Sequence, residues 1–195
     1  MRMSQAGLTL LAALSTTSGA LSGCDKSSTG AADGGTTLPS DLLRACPGAA
    51  RLSTSGARDC NDIGCVNSFW LRVLPRSSWP EGAYRFVFDV DGHTLTCAGS
   101  LPLKPCGEAS LTCDGAGVSI GESGCALPAS AQSFSDMRFG NYPIALSVDV
   151  FLSDASIAHA AYQPSYQVGQ PNGAGCTPVC CGASADLTVT VPSMR

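Results

Sequence analysis

From Tyr84 to Cys97 the chain alternates between its two faces on either side of an Asp91-Gly92 pair. No other feature restricts the possible folds as tightly. A period of two puts Tyr84, Phe86, Phe88 and Val90 on one side and Arg85, Val87 and Asp89 on the other, as in a strand with one buried face. Asp-Gly tolerates the positive φ that both central positions of a type I′ turn require, and that turn matches the twist of paired strands. A two-residue turn sets Phe88 opposite Leu95 and Phe86 opposite Cys97, all on the apolar face. Cys97 is therefore expected to be buried, placed for a bridge into the core. Asp89-Val90-Asp91 could also begin a calcium loop. Such a loop needs oxygen ligands continuing over about twelve residues, and here the chain runs on as GHTLTC. The hairpin reading prevails.

The same period recurs along the chain. Phe69, Leu71 and Val73 alternate with Ser68, Trp70 and Arg72 until Pro75 ends the run. Leu111–Cys113 and Val118–Ile120 read as a second short hairpin around Asp114-Gly115. Ile144, Leu146, Val148, Val150 and Leu152 form another apolar face with Ala145, Ser147 and Asp149 opposite. Ser153–Ser156 then turns the chain into Ile157–Tyr162. Ala185, Leu187, Val189 and Val191 alternate with Asp186, Thr188 and Thr190. With 22 Gly and 12 Pro supplying turns, this predicts an all-β fold. The expected architecture is an antiparallel β-sandwich, immunoglobulin/fibronectin-like, of seven or eight strands, stapled by disulfides.

The eleven cysteines divide by position. Leu21-Ser22-Gly23-Cys24 resembles a bacterial lipobox, an apolar residue and two small ones before a cysteine. It follows the short apolar run Ala6–Leu14 and the basic start at Arg2. The resemblance implies a lipoprotein signal peptide over 1–23, cleaved before Cys24, and a lipid on its sulfur. The apolar run is well short of the ~20 residues of a membrane-spanning helix. In enterobacterial lipoproteins an aspartate such as Asp25 resembles an inner-membrane retention signal; the outer membrane and the periplasmic face of the inner membrane both stay open. Residues 24–40 are rich in Ser, Thr, Gly and Ala and read as a flexible tether. Residues 41–195 form the expected single domain, with a cysteine-rich N-terminal segment and at most one helical turn around Leu42–Cys46. Ten cysteines then remain, an even number: Cys46, Cys60, Cys65, Cys97, Cys106, Cys113, Cys125, Cys176, Cys180 and Cys181. In an oxidising compartment they are expected to pair into five disulfides. Cys180 and Cys181 should bond to different partners, because neighbours on extended chain point to opposite sides.

The segments WPEGAYRFVFDVDGHTLTC, GCALP and YQPSYQVGQPNGAGCTPVCC resemble small cysteine-rich lipoproteins of myxobacteria, over roughly residues 65–191. The resemblance implies location and architecture and brings no catalytic residue with it.

A net charge of −4 with only 13% charged residues offers no basic patch for nucleic acid. Gly121-Glu122-Ser123-Gly124-Cys125 superficially resembles the loop around a trypsin-like nucleophile, with His93 or His159 as the base. Cysteine stands where the second glycine belongs, no histidine sits in the matching context, and a glycine-serine turn pinned through Cys125 is the preferred reading. Each histidine is expected to be solvated or locally hydrogen-bonded. The Cys176–Cys181 cluster could hold a soft metal, but its adjacent pair suits tetrahedral geometry poorly. Structural disulfides are expected there, with no metal and no cofactor. Trp70, Trp79, Tyr142, Tyr162 and Tyr166 are the candidates for a binding face, since exposed aromatics stack on sugar rings or anchor partners. Trp70 falls opposite the apolar face of its strand; packing under a loop or against the cysteine-rich segment is the favoured reading for it. The chain is thus expected to be a lipid-anchored protein of the bacterial cell envelope. It would be a non-catalytic binding, adhesive or structural module that meets the membrane through Cys24 and an envelope protein or glycan through its loops. The alternative is an envelope hydrolase or redox/metal protein using Ser123 with a histidine, or the Cys176–Cys181 cluster.

Overall fold

A computed structural model describes residues 38, 40–52, 60–65 and 67–191. The expected signal peptide, the lipobox with Cys24 and most of the tether lie outside the described residues.

Five strands follow from the alternating segments and the turn between the first hairpin's arms: β1 (Ser68–Pro75), β2 (Gly82–Val90), β3 (His93–Leu101), β4 (Leu111–Cys113) and β5 (Val118–Ser123). The second half supplies β6 (Ser133–Phe139), β7 (Leu146–Leu152), β8 (Ala155–Tyr162), β9 (Gln167–Gly169) and β10 (Cys180–Val189). They form two five-stranded sheets in the orders β5-β6-β1-β10-β9 and β4-β3-β2-β7-β8. Every neighbouring pair is antiparallel except β1 and β10, which run parallel. The fold is an all-β sandwich, with ten strands instead of seven or eight.

The first hairpin has the expected register, with Phe88 opposite Leu95 and Phe86 opposite Cys97. Asp91 and Gly92 take φ of 52° and 85°, and the Asp89 carboxylate accepts the Gly92 amide at 2.9 Å. Asp91 also braces the chain before β7, its Oδ1 accepting the amides of Ile144 and Ala145 at 2.8 Å each. The inward faces of the two sheets make one core. Phe69, Leu71, Phe134, Met137, Phe139 and Leu187 from one sheet meet Tyr84, Phe86, Phe88, Val148 and Val150 from the other. Across that seam, edge-to-face ring pairs join Phe134 to Phe86 and Tyr84, and Phe139 to Phe88, an arrangement favoured by the aromatic quadrupole. Trp79 is buried against Tyr84 and Phe134, and the Tyr84 hydroxyl donates to the Pro80 carbonyl at 2.7 Å.

Three local expectations are corrected. β4 and β5 are not a hairpin: β4 pairs with β3, and β5 with β6 in the other sheet. Asp114 stays bound to β3, its amide donating to the Thr96 carbonyl and its side chain accepting the Thr96 amide. The chain then crosses between sheets through Gly117, at φ +97°. Ile144 does not continue the apolar face of β7; it precedes the strand and is exposed, because Asp91 holds its amide in the bend. The turn into β8 is also tighter than Ser153–Ser156, with Leu152 paired to Ala155 and Ser153 at φ 53°.

The N-terminal segment forms a short helix, α1 (Ser40–Ala45), and a 3-10 turn, Pro47–Arg51. They bury Leu42, Cys46 and Ala49 in a second, smaller cluster with Tyr142, Val179 and Cys181. Five disulfides fix the fold: Cys46–Cys181, Cys60–Cys176, Cys65–Cys180, Cys97–Cys113 and Cys106–Cys125. Cys97 is fully buried, but its bridge ties neighbouring strands of one sheet. The adjacent Cys180 and Cys181 bond to different partners, and all three cysteines of the 176–181 cluster are tied to the N-terminal segment. Five disulfides indicate an oxidising, extracytoplasmic compartment.

Candidate functional site

Because Phe69, Leu71 and Val73 of β1 face the core, Ser68, Trp70 and Arg72 face outward from the middle of the first sheet. Trp70 is 40% exposed and is the one aromatic among the exposed large hydrophobics of the described residues. The favoured expectation that it packs under a loop is overturned. The N-terminal segment that was to cover it packs instead with Tyr142, Val179 and Cys181.

Register places Arg138 of β6 on one side of Trp70 and Ser184 of β10 on the other. The Arg138 guanidinium carbon lies 5.2 Å from the indole centroid, within cation–π range. The indole Nε1 donates to Asp136 Oδ2 at 3.1 Å, and Arg138 Nε donates to the same oxygen at 3.1 Å. Ser135 Oγ donates to the other carboxylate oxygen at 2.9 Å. These contacts fix the indole in orientation. Gly121 of β5 makes room for them: a Cβ at that position would meet Asp136 and Ser135. Along β1, Arg72 pairs with Asp186 of β10 at 2.8 Å. Both arginines beside Trp70 are thus matched by a carboxylate, so the face carries polarity with little net charge.

On the side of Trp70 away from Arg138 lies a trough of about 400 Å³, walled by Trp70, Ser68, Ser165, Gln167, Gly182 and Ser184. Its lining combines the Trp70 indole, Gly182 and Ala183 with the polar side chains of Ser165, Gln167 and Ser184. Ser68 is only 8% exposed, and its hydroxyl has no hydrogen-bond partner among the described residues. A buried hydroxyl without a partner is costly.

The other aromatic candidates are not available in this way. Trp79 and Tyr142 are buried. The Tyr162 hydroxyl donates to the Asp186 carbonyl and that of Tyr166 to the Pro143 carbonyl, at 3.0 Å each. Burial raises the pKa of both phenols; Asp186 adds to the effect at Tyr162, and Asp91 at Tyr166. Asp136 and Arg138 belong to β6, which sequence reasoning missed. The spacing of Phe134, Met137 and Phe139 is the signal it left.

Ser123 ends β5 opposite Ser133. Gly124 at φ +88° and the Cys106–Cys125 bridge make the segment a pinned turn. The neighbouring Glu122 carboxylate accepts the amides of Ser110 and Leu111. His93 stands at the tip of the first hairpin, in a depression with Asp41, Arg44, Asp91 and Asn141, toward the opposite end of β5. His159 is exposed on the outer face of the second sheet, its Nδ1 2.8 Å from Asp149 Oδ1. The fold therefore separates Ser123 from both histidines. Among the described residues, no group of three or more His, Cys, Asp or Glu side chains is placed to hold a metal ion. No helix among them is long and apolar enough to cross a membrane. No family model, no curated protein and no solved structure matches the chain.

Proposed function

We propose that this chain is a lipid-anchored, non-catalytic binding module of the bacterial cell envelope, and that the Trp70 face of its first sheet is the contact surface. The observation that carries the reading is an exposed tryptophan whose orientation is fixed by Asp136 and Arg138. A solvent-facing aromatic gains nothing for the core, while a rigid one loses little entropy on binding and supplies a large contact area. The lipobox supports anchoring through Cys24, with two or three acyl chains giving stable attachment where one would not. The tether of residues 24–40 would span ~20–25 Å as a coil and lift the domain from the membrane.

The test is retention of the soluble chain from Cys24 onward, with Cys24→Ser, on purified envelopes of the host. Saturable retention that falls at least tenfold with Trp70→Ala, at unchanged thermal stability, supports the reading. Equal retention of both forms, or none, overturns it.

A further inference from the structure

Resting on the reading of the Trp70 face as a binding surface, we propose that the trough beside Trp70 takes a neutral glycan, with one pyranose ring stacked on the open side of the indole. Arg138 lies on the β6 side of Trp70, whereas Ser165, Gln167, Gly182 and Ser184 of the trough lie toward β10 and β9. One face of the indole is backed by the guanidinium, and the other borders the trough. A sugar ring presents C–H groups to such a face and hydroxyls around its rim. The rim here offers Ser165, Ser184 and the Gln167 carboxamide, which both donate and accept.

Charge decides against the competing ligands. Arg138 is engaged by Asp136 and Arg72 by Asp186, so neither guanidinium beside Trp70 is left unpaired for a phosphate, sulfate or uronate. An apolar peptide anchor would suit the indole and Ala183 but would leave Ser165, Gln167 and Ser184 without hydrogen-bond partners. A polyol satisfies both parts. The volume of about 400 Å³ lies at the lower end of the ~300–1,000 Å³ of small-ligand sites, which suits one or two rings of a longer chain.

The test uses the chain from Cys24 onward with Cys24→Ser. Hexamers of α1,4-glucose, β1,4-glucose, β1,3-glucose and β1,4-N-acetylglucosamine are titrated in turn while the two indole N–H resonances are followed. Trp70→Ala identifies its own signal by deletion, leaving that of buried Trp79. The expected result is a saturable shift of the Trp70 resonance alone by at least one hexamer. Affinity for that hexamer, read by titration calorimetry, should weaken tenfold or more in Trp70→Ala and in Ser184→Phe, which fills the trough while keeping the indole. The proposal is overturned if no hexamer moves the Trp70 signal, or if Ser184→Phe binds as well as the parent. Should host envelopes still retain the chain through Trp70 in that case, the face is a binding surface for another ligand class. If that retention is also absent, both readings fall.

Discussion

At the scale of single residues, the core and the tyrosines carry the clearest consequences. Phe86 is fully buried between Tyr84 and Phe134. Its truncation removes apolar area and leaves a cavity between the sheets, so Phe86→Ala should cost ~3–5 kcal/mol in chemical denaturation. A loss under 1 kcal/mol would mean that the face assigned from the alternation is wrong. Burial raises the Tyr84 pKa to about 12 from its ordinary value of 10.0. The folded chain therefore holds that proton more tightly than the unfolded chain does. The associated stabilisation is complete below pH 10 and is lost as pH rises from 10 toward about 12. The other three tyrosines are shifted in the same direction, so stability should fall steeply in alkali. Tyr84→Phe should lose ~0.5–1.5 kcal/mol at neutral pH with the hydrogen bond to Pro80, and should show a shallower decline above pH 10. Urea midpoints measured at pH 8 and pH 11 check both signs.

At the scale of elements, what the sequence displayed was local alternation, and what it hid was irregularity. β1, β2, β3, β7 and the C-terminal half of β10 could be read directly because each keeps a period of two between a core face and a solvent face. The Asp-Gly turn even fixed the pairing of Phe86 with Cys97. β6 was illegible because it carries a bulge. Met137 pairs with Ile120 and Phe134 with Glu122, so three steps on β6 match two on β5. That extra residue breaks the alternation and turns Ser135 and Asp136 outward together. The bulge is also what presents Asp136 to Trp70, so the missed strand and the missed half of the candidate site have one cause. β9, at three residues, is too short to show a period. The Asp114-Gly115 pair misled because a dipeptide records permissible dihedrals and not which sheet the chain enters next. Trp70 itself was placed on the correct face, but nothing local in the sequence indicates whether another layer covers that face. Gly121→Ala tests the bulge: its Cβ would displace Asp136 and Ser135. A cost of ~1–3 kcal/mol is expected from overpacking, together with a shifted Trp70 indole resonance. An unchanged resonance would show that Asp136 does not position the indole.

At the scale of the whole molecule, the chain's beginning is bound covalently to its end. Cys46, Cys60 and Cys65 are joined across separations of 135, 116 and 115 residues to Cys181, Cys176 and Cys180. β1 and β10 lie side by side at the centre of the first sheet. Cys46–Cys181 thus ties the segment just after α1 directly to β10. The three bridges close nearly the same loop. Removing Cys46–Cys181 alone frees only the short segment up to Cys60, because Cys60–Cys176 and Cys65–Cys180 still hold the larger ring. Replacing both cysteines by alanine should therefore cost about 3 kcal/mol, the value for a short loop, and not the ~5 kcal/mol of a loop beyond a hundred residues. Calorimetry on that variant distinguishes the two.

The central claim is an exported, lipid-anchored domain locked by five disulfides. The intact mass of the chain extracted from its native membrane, taken without reduction and again after it, tests this most directly. The expected species begins at Cys24, carries acyl mass on that residue, and gains ten hydrogens on reduction as five bridges open. A chain that retains Met1–Gly23, lacks acyl mass, or gains fewer hydrogens because thiols are already free would contradict it.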